Sequence, residues 1–157
     1  MINIGFTGTS EGMTTEQAIH IIKYLDEALS DNPADYSAHH GDCVGADARF
    51  DEIAYDLGLS IYIYPPINPK KRAYCNLKHP YAYLAPEKEY LVRNKDIVNA
   101  AYIMIATPKE FEEQQRGGTW STIRFAKKRN RLLRIIYPNG SGAVFLGEQQ
   151  VARVVKQ

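Results

Sequence analysis

The chain has 157 residues, of which 45% are hydrophobic and 24% charged, and its formal net charge is +1. That length and composition fit one globular domain with a single sizeable core, and the near-zero charge argues against a strongly basic nucleic-acid surface or an acidic tail. No apolar run approaches the roughly 18 residues of a membrane-crossing helix, Cys43 and Cys75 form no CxxC pair, and the first residues enter a strand without a charged leader. A cytoplasmic protein with reduced thiols and no membrane partner is therefore expected.

Residues 2–7 read as a short apolar strand, followed by the small-residue loop Gly8-Thr9-Ser10-Glu11-Gly12. Thr14 and Gln17 then form a capping box, and Ala18, Ile21, Ile22, Leu25 and Leu29 repeat at helical spacing as a stripe to be buried. A polar turn at 31–35 leads to a second strand at 36–40 and another glycine-bearing loop, Gly41-Asp42-Cys43-Val44-Gly45. The next helix turns Ala46, Phe50, Ile53, Ala54 and Leu57 inward and stops at Gly58. Residues 59–64 form a third strand that Pro65-Pro66 ends, because proline has no donor for a sheet ladder.

Residues 67–86 lack periodicity and read as a long surface excursion carrying Lys70, Lys71, Arg72 and several tyrosines; loops of that length are usually functional lids or disordered. A helix is expected over 87–99 with Tyr90, Leu91, Ile97 and Val98 inward, then a buried strand over 101–107. Arg116-Gly117-Gly118-Thr119-Trp120 precedes a helix over 121–130, and a fifth strand covers 132–137. The tail from Ser141 adds one more strand or a hairpin. Cations at Lys127, Lys128 and Arg129 complement that helix's C-terminal end.

Alternating strands and helices specify one α/β domain over 1–157: a Rossmann-like three-layer sandwich around a mostly parallel sheet of about five or more strands. Ligands of such sheets bind at the carboxyl ends of the strands, where strand order reverses. Gly8, Thr9 and Ser10, the Gly41 to Asp47 loop, Pro108 and the Gly117-Gly118-Thr119 turn should then share one edge. Free amides at a helix start favour an anion, which makes Gly117, Gly118 and Thr119 candidates for binding phosphate, with Arg116 beside them.

Gly8, Thr9 and Ser10 suit phosphate or ribose, or form a plain turn; the GxGxxG spacing of the usual dinucleotide site is absent. His39 and His40 are adjacent on a strand and face opposite ways, so no metal is assigned; one should pack and the other line the cleft. Asp42 and Asp47 either cap a helix or receive ribose hydroxyls. Arg93 either pairs at the surface or reaches the phosphate, and Asn94 can meet a sugar or base. The basic excursion can close over an anionic ligand, with Tyr74, Tyr81 and Tyr83 available for stacking.

In order, Gly5-Phe6-Thr7-Gly8-Thr9, His40-Gly41-Asp42 with Gly45-Ala46-Asp47, Arg93-Asn94 and Gly117-Gly118-Thr119-Trp120 resemble the SLOG superfamily. That group includes the DNA-processing protein DprA and the LONELY GUY-type phosphoribohydrolases, and among its branches the chain looks most like the small stand-alone YspA-like proteins of bacteria and phages. The resemblance implies a nucleotide-binding Rossmann-like fold, with Gly117, Gly118 and Thr119 at phosphate and Arg93 facing the substrate. The hydrolase branch follows its glycine and threonine motif with a glutamate, whereas this chain reads Trp120-Ser121-Thr122-Ile123-Arg124. No catalytic residue and no cofactor is assigned.

The expectation is a protein that binds a nucleoside monophosphate or ADP-ribose-like molecule, as a homo-oligomeric sensor or sequestering protein. The alternatives are a nucleotide N-glycosidase using Asp42, Asp47 or Asp96, and single-stranded DNA binding in the manner of DprA.

Overall fold

The computed structural model describes residues 1–29 and 32–156. Asp31 of the expected polar turn and Gln157 of the tail lie outside them. Eight strands form one sheet in the order β4-β3-β2-β1-β5-β6-β7-β8. These are β1 (Ile2–Gly8), β2 (Tyr36–His40), β3 (Ser60–Ile63), β4 (Tyr83–Leu84), β5 (Ile103–Thr107), β6 (Leu132–Ile136), β7 (Gly142–Leu146) and β8 (Gln149–Val154). The neighbours from β4 to β6 pair in parallel, and β7 and β8 add an antiparallel hairpin at one edge. The helices are α1 (Thr15–Ala28), α2 (Ala46–Asp56), α3 (Tyr90–Ala100) and α4 (Gly118–Lys128).

Strand alternation on β1 divides the core into two layers. Ile4 and Phe6 belong to the layer of α1 and α2, where Phe6 stacks on Phe50 with ring centroids 4.4 Å apart. Gly5 points the other way, where a Cβ would lie 2.4 Å from Met104 Sδ and 3.1 Å from Ile97, so the missing side chain lets α3 settle on the sheet. Trp120, Ile123 and Ala126 of α4 complete that second layer with Ile97, Met104 and Leu133.

The capping box forms as expected: Gln17 N–H donates to Thr14 Oγ1 at 3.0 Å and Thr14 N–H to Gln17 Oε1 at 2.9 Å. The same buried Gln17 donates through Nε2 to the carbonyls of Pro108 and Ile136, tying α1 to the ends of β5 and β6. Not all of the expected stripes are buried. Ile22 on α1 and Tyr90 and Leu91 on α3 are exposed, while the charged Arg93 is buried in their place.

The excursion is more ordered than its sequence suggests. It holds two 3-10 turns, Pro69–Lys71 and Cys75–Leu77, and then β4, which extends the sheet beside β3. Its fastening is polar. Asp42 accepts from Arg72 Nε and from the Cys75 amide, both at 2.9 Å, and Asp51 accepts from His79. No hydrophobic period announces a segment held this way, which is why it reads as an open loop.

Candidate functional site

Strand order reverses between β1 and β5. The chain runs outward through β2, β3 and β4, then returns to pair β5 with the other side of β1. At the carboxyl ends of these two strands lies a cleft of about 460 Å³. Its floor is Phe6 to Glu11, one wall is Cys43, Val44 and Asp47, and the other is Gly117 to Trp120 with Arg116. Tyr90, Arg93 and Asn94 of α3 close the back, and Lys71, Lys109 and Glu110 stand at the rim.

Three helices begin at this cleft without a side-chain cap: α2 behind Gly45, α3 behind Glu89 and α4 behind Gly117. The amides of Gly118, Thr119 and Trp120 have no partner among the described residues. The helix therefore starts three residues before the expected Ser121, and the glycine motif is its first turn. Gly117 has φ +105° and ψ 145°, a conformation open essentially only to glycine, and a Cβ there would touch nothing within 4 Å. Gly117→Ala is expected to cost about 1–2 kcal/mol through backbone strain alone, seen as a lowered thermal midpoint. Gly45 is constrained by crowding as well, since a Cβ on it would lie 2.3 Å from the Ser10 carbonyl oxygen. That close approach joins the β1 loop to the start of α2.

Of the residues singled out in the sequence, Gly8, Thr9, Ser10, Asp47, Arg93, Asn94, Arg116, Gly117, Gly118 and Thr119 all line the cleft. Gly41 and Asp42 do not. Asp42 is fully buried with a left-handed φ of 56°, and its carboxylate is occupied by Arg72 and the Cys75 amide. It fastens the excursion and, fully buried, presents no oxygen to the cleft. Gly41 supports Arg93: the guanidinium donates to its carbonyl, and a Cβ on it would lie 2.3 Å from Arg93 Nη1.

Arg93 is 4% exposed, and most of its donors are committed to protein groups. Nη1 also donates to Tyr64 O at 3.0 Å, Nε to Tyr90 O at 3.4 Å and Nη2 to Cys43 Sγ at 3.5 Å. It is a buried strut joining α3 to the ends of β2 and β3, and its positive charge stands in the cleft wall. Asp47 beside it is 7% exposed and accepts from the Cys43 amide at 3.2 Å. Burial raises its pKa above the ordinary carboxylate value, although His40 and Arg93 pull it down. Burial and the Asp47 charge likewise raise the Cys43 thiol, so it is not a ready nucleophile.

Neither histidine lines the cleft, contrary to the expected division of one packed and one exposed. They do face opposite ways: His39 stacks on Tyr62, and His40 bonds Asp51 of α2. His40, Asp51 and Cys75 place donor atoms within 4.8 Å of one another, a spacing a metal could use. The tautomer opposes it. The Asp42 amide donates to His40 Nδ1 at 3.0 Å, which leaves the ring proton on Nε2, where it is given to Asp51 at 2.7 Å. The cluster is a hydrogen-bonded clamp for the excursion.

A second cavity of about 430 Å³ lies between α1 and the C-terminal hairpin, lined by His20, Tyr24 and Arg134 among others. The helix that begins beside it is α1, which Thr14 already caps, so it offers no comparable set of free amides.

Sequence reasoning missed Glu11, Lys109, Glu110 and Tyr90 as cleft residues. Lys109 and Glu11 pair across the mouth at 2.5 Å, and Glu110 Oε1 accepts from Trp120 Nε1 at 2.9 Å. The connection at 108–117 has no periodicity, and only the observation that it leaves a strand at the switch point pointed towards it.

A parallel α/β sheet with helices on both faces and a cleft at its switch point defines a Rossmann-like protein. No protein-family model and no curated protein matches the chain. Solved structures do. The molybdenum cofactor binding protein from the phototrophic bacterium Rippkaea orientalis is similar over 87% of this chain and 76% of its own, with a TM-score of 0.63 and 16% identity. DNA processing protein A from Helicobacter pylori, solved to explain its single-stranded DNA binding mode, is similar over 85% of this chain and 64% of its own, with a TM-score of 0.60 and 16% identity. The X-ray structure of TM1055 is similar over 85% of this chain and 72% of its own, with a TM-score of 0.56 and 12% identity. These likenesses show the fold, a Rossmann-like α/β sheet shared with all three structures. Among the described residues no helix is long and apolar enough to cross a membrane.

Proposed function

We propose that the cleft binds a phosphorylated, nucleotide-derived small molecule, and that the protein acts as a sensor or sequestering protein of the small YspA-like branch, working as a homo-oligomer. The observation that carries this reading is the uncapped first turn of α4. The unpartnered amides of Gly118, Thr119 and Trp120 open into a cleft that also holds Arg116 and Lys71. Helix starts of this kind bind anions through N–H groups and the positive end of the helix dipole. Thr9, Ser10 and Thr119 add hydroxyls, and Asn94 stands behind Gly118 for a sugar or base.

Calorimetric titration with a panel of nucleoside monophosphates and ADP-ribose tests the proposal. Gly118→Glu sets a carboxylate at the start of α4, and its Cβ would meet the Tyr90 ring at an acceptable 3.4 Å. Binding by the wild type and a loss of at least about tenfold in the variant are expected, from repulsion of the anion and loss of the helix-end site. Silence with every compound, or equal affinity in both proteins, would sink it.

A hydrolytic role has one observation in its favour, which narrows it to Asp47. Of the three aspartates considered, Asp42 is sequestered and Asp96 pairs with Lys88 outside the cleft at 2.8 Å. Only Asp47 stands in the wall. Release of free base from a nucleoside monophosphate, abolished by Asp47→Asn, would establish turnover.

A further inference from the structure

We infer that Glu110 is the specificity residue of this cleft: a carboxylate that accepts hydrogen bonds from ligand hydroxyls and sets the site for a sugar phosphate monoester over a polyphosphate. This rests on the anion-binding reading above. Three carboxylates line the cleft, and two are already engaged. Glu11 pairs with Lys109, and Asp47 is buried against the Cys43 amide.

Glu110 differs from both. It is half-buried, and one oxygen is fixed by the Trp120 indole N–H at 2.9 Å. Its other oxygen has no hydrogen bond or ion pair among the described residues. Trp120 is 4% exposed and packed in the α4 core layer, so it is a rigid post for that carboxylate. It also belongs to the first turn of α4, which holds Glu110 one side chain away from the free amides of the anion site. Trp120 is thus a positioning residue.

A fixed carboxylate beside an anion site has a chemical consequence. It repels further negative charge and accepts from O–H or N–H, so it suits a ligand carrying one phosphate and a donor close to it. The cleft's charges select the same ligand. Of its four cations, Lys109 is neutralised by Glu11 and Arg93 is committed largely to backbone carbonyls, which leaves Lys71 and Arg116. Two cations match a phosphate monoester dianion. A diphosphate or a nucleic-acid backbone would bring more negative charge than they offset, against the repulsion of Glu110.

Calorimetry with AMP, its dideoxyribose counterpart, ADP and inorganic phosphate tests the inference on the full chain. Wild type is expected to bind AMP about tenfold more tightly than the dideoxy compound, the worth of a charged hydrogen bond, and no more weakly than ADP. Glu110→Gln keeps an oxygen for Trp120 but turns the free acceptor into a donor. It should remove the preference for the hydroxylated ligand and leave inorganic phosphate bound at least as tightly, since the carboxylate's repulsion is gone, with an unaltered melting curve. Trp120→Phe, which removes the fixing N–H together with part of the buried ring, should weaken the preference about threefold. An AMP-to-dideoxy ratio unaffected by Glu110→Gln, with phosphate still bound, overturns this inference alone, as does a tenfold preference for ADP. Absence of binding by every probe, inorganic phosphate included, overturns the anion site and this inference together.

Discussion

Replacing Arg93 with methionine is expected to destabilise the protein by about 3–5 kcal/mol, the range for breaking a buried charged network. Methionine preserves much of the apolar stem, so packing is largely kept and what disappears is the guanidinium. The carbonyls of Gly41 and Tyr64 then lose a donor in a dry wall, and an unsatisfied buried acceptor costs about 1–3 kcal/mol. Asp47 loses its nearest fixed cation while still buried. Arg93→Lys should recover only part of the loss, because a single ammonium cannot span Gly41, Tyr64 and Tyr90 as the planar fork does. Urea denaturation checks this: a reduced midpoint with an unchanged m-value is expected. A loss below about 1 kcal/mol, within the ordinary range for an exposed pair, would mean that Arg93 is a ligand-facing group and not a strut.

Arg93 stands at the carboxyl edge of the sheet, where its motif puts it, but its contacts there are not legible in the sequence, and the reason is physical. A motif fixes which residues stand at the carboxyl edge of the sheet, since that follows from strand ends and loop lengths. It does not fix what a side chain touches. Gly41 was legible as a glycine in a β-to-α loop, but its purpose, making room for a guanidinium from α3, needs residues more than fifty positions apart to be brought together. Asp42 shows the same limit: the excursion it holds is fastened by Arg72, Cys75 and His79 through hydrogen bonds, which leave no period in the sequence. Thr14 and Gln17 lie at the other extreme. Their capping box is a local pattern, and it formed as read. On α3, the hydrophobic pattern turned Tyr90 and Leu91 inward, but the helix is rotated so that Arg93 enters the wall and those two face outward. Burial of one charge with its partners outweighed the simple stripe.

Acid is expected to destabilise the protein through His39, in a window well above that of ordinary carboxylates. Four groups form a chain whose proton positions are determined by donor and acceptor count. Asn3 Nδ2 donates to Ala100 O at 2.8 Å, and the Ser37 hydroxyl donates to Asn3 Oδ1 at 2.7 Å. Having given its proton away, Ser37 Oγ accepts from His39 Nε2 at 2.8 Å, and so His39 Nδ1 is left as an acceptor for the Tyr64 hydroxyl at 2.8 Å. A proton on Nδ1 would oblige the Tyr64 hydroxyl to turn away and accept, and would put a charge inside the β2–β3 surface. Burial accordingly pushes the His39 pKa down from 6.5 to about 4 and Tyr64 up to about 12. The unfolded chain thus binds a proton below about pH 6.5 that the folded chain refuses until about pH 4. Stability rises with pH wherever the unfolded state holds more protons, so the contribution is complete above 6.5 and is lost as the pH falls to about 4. At about 1.4 kcal/mol per unit, the loss amounts to roughly 3 kcal/mol. His20, also lowered by burial, adds a slope of the same sign, and Asp47, raised by burial, adds one of the opposite sign from the ordinary carboxylate value upward. Comparison with His39→Gln isolates the histidine, because a glutamine amide can give to Ser37 and accept from Tyr64 without titrating. Between pH 6.5 and 4 the wild type should lose about 3 kcal/mol more than the variant, read from urea midpoints at each pH. Parallel curves for the two proteins would show that His39 does not govern the acid limb.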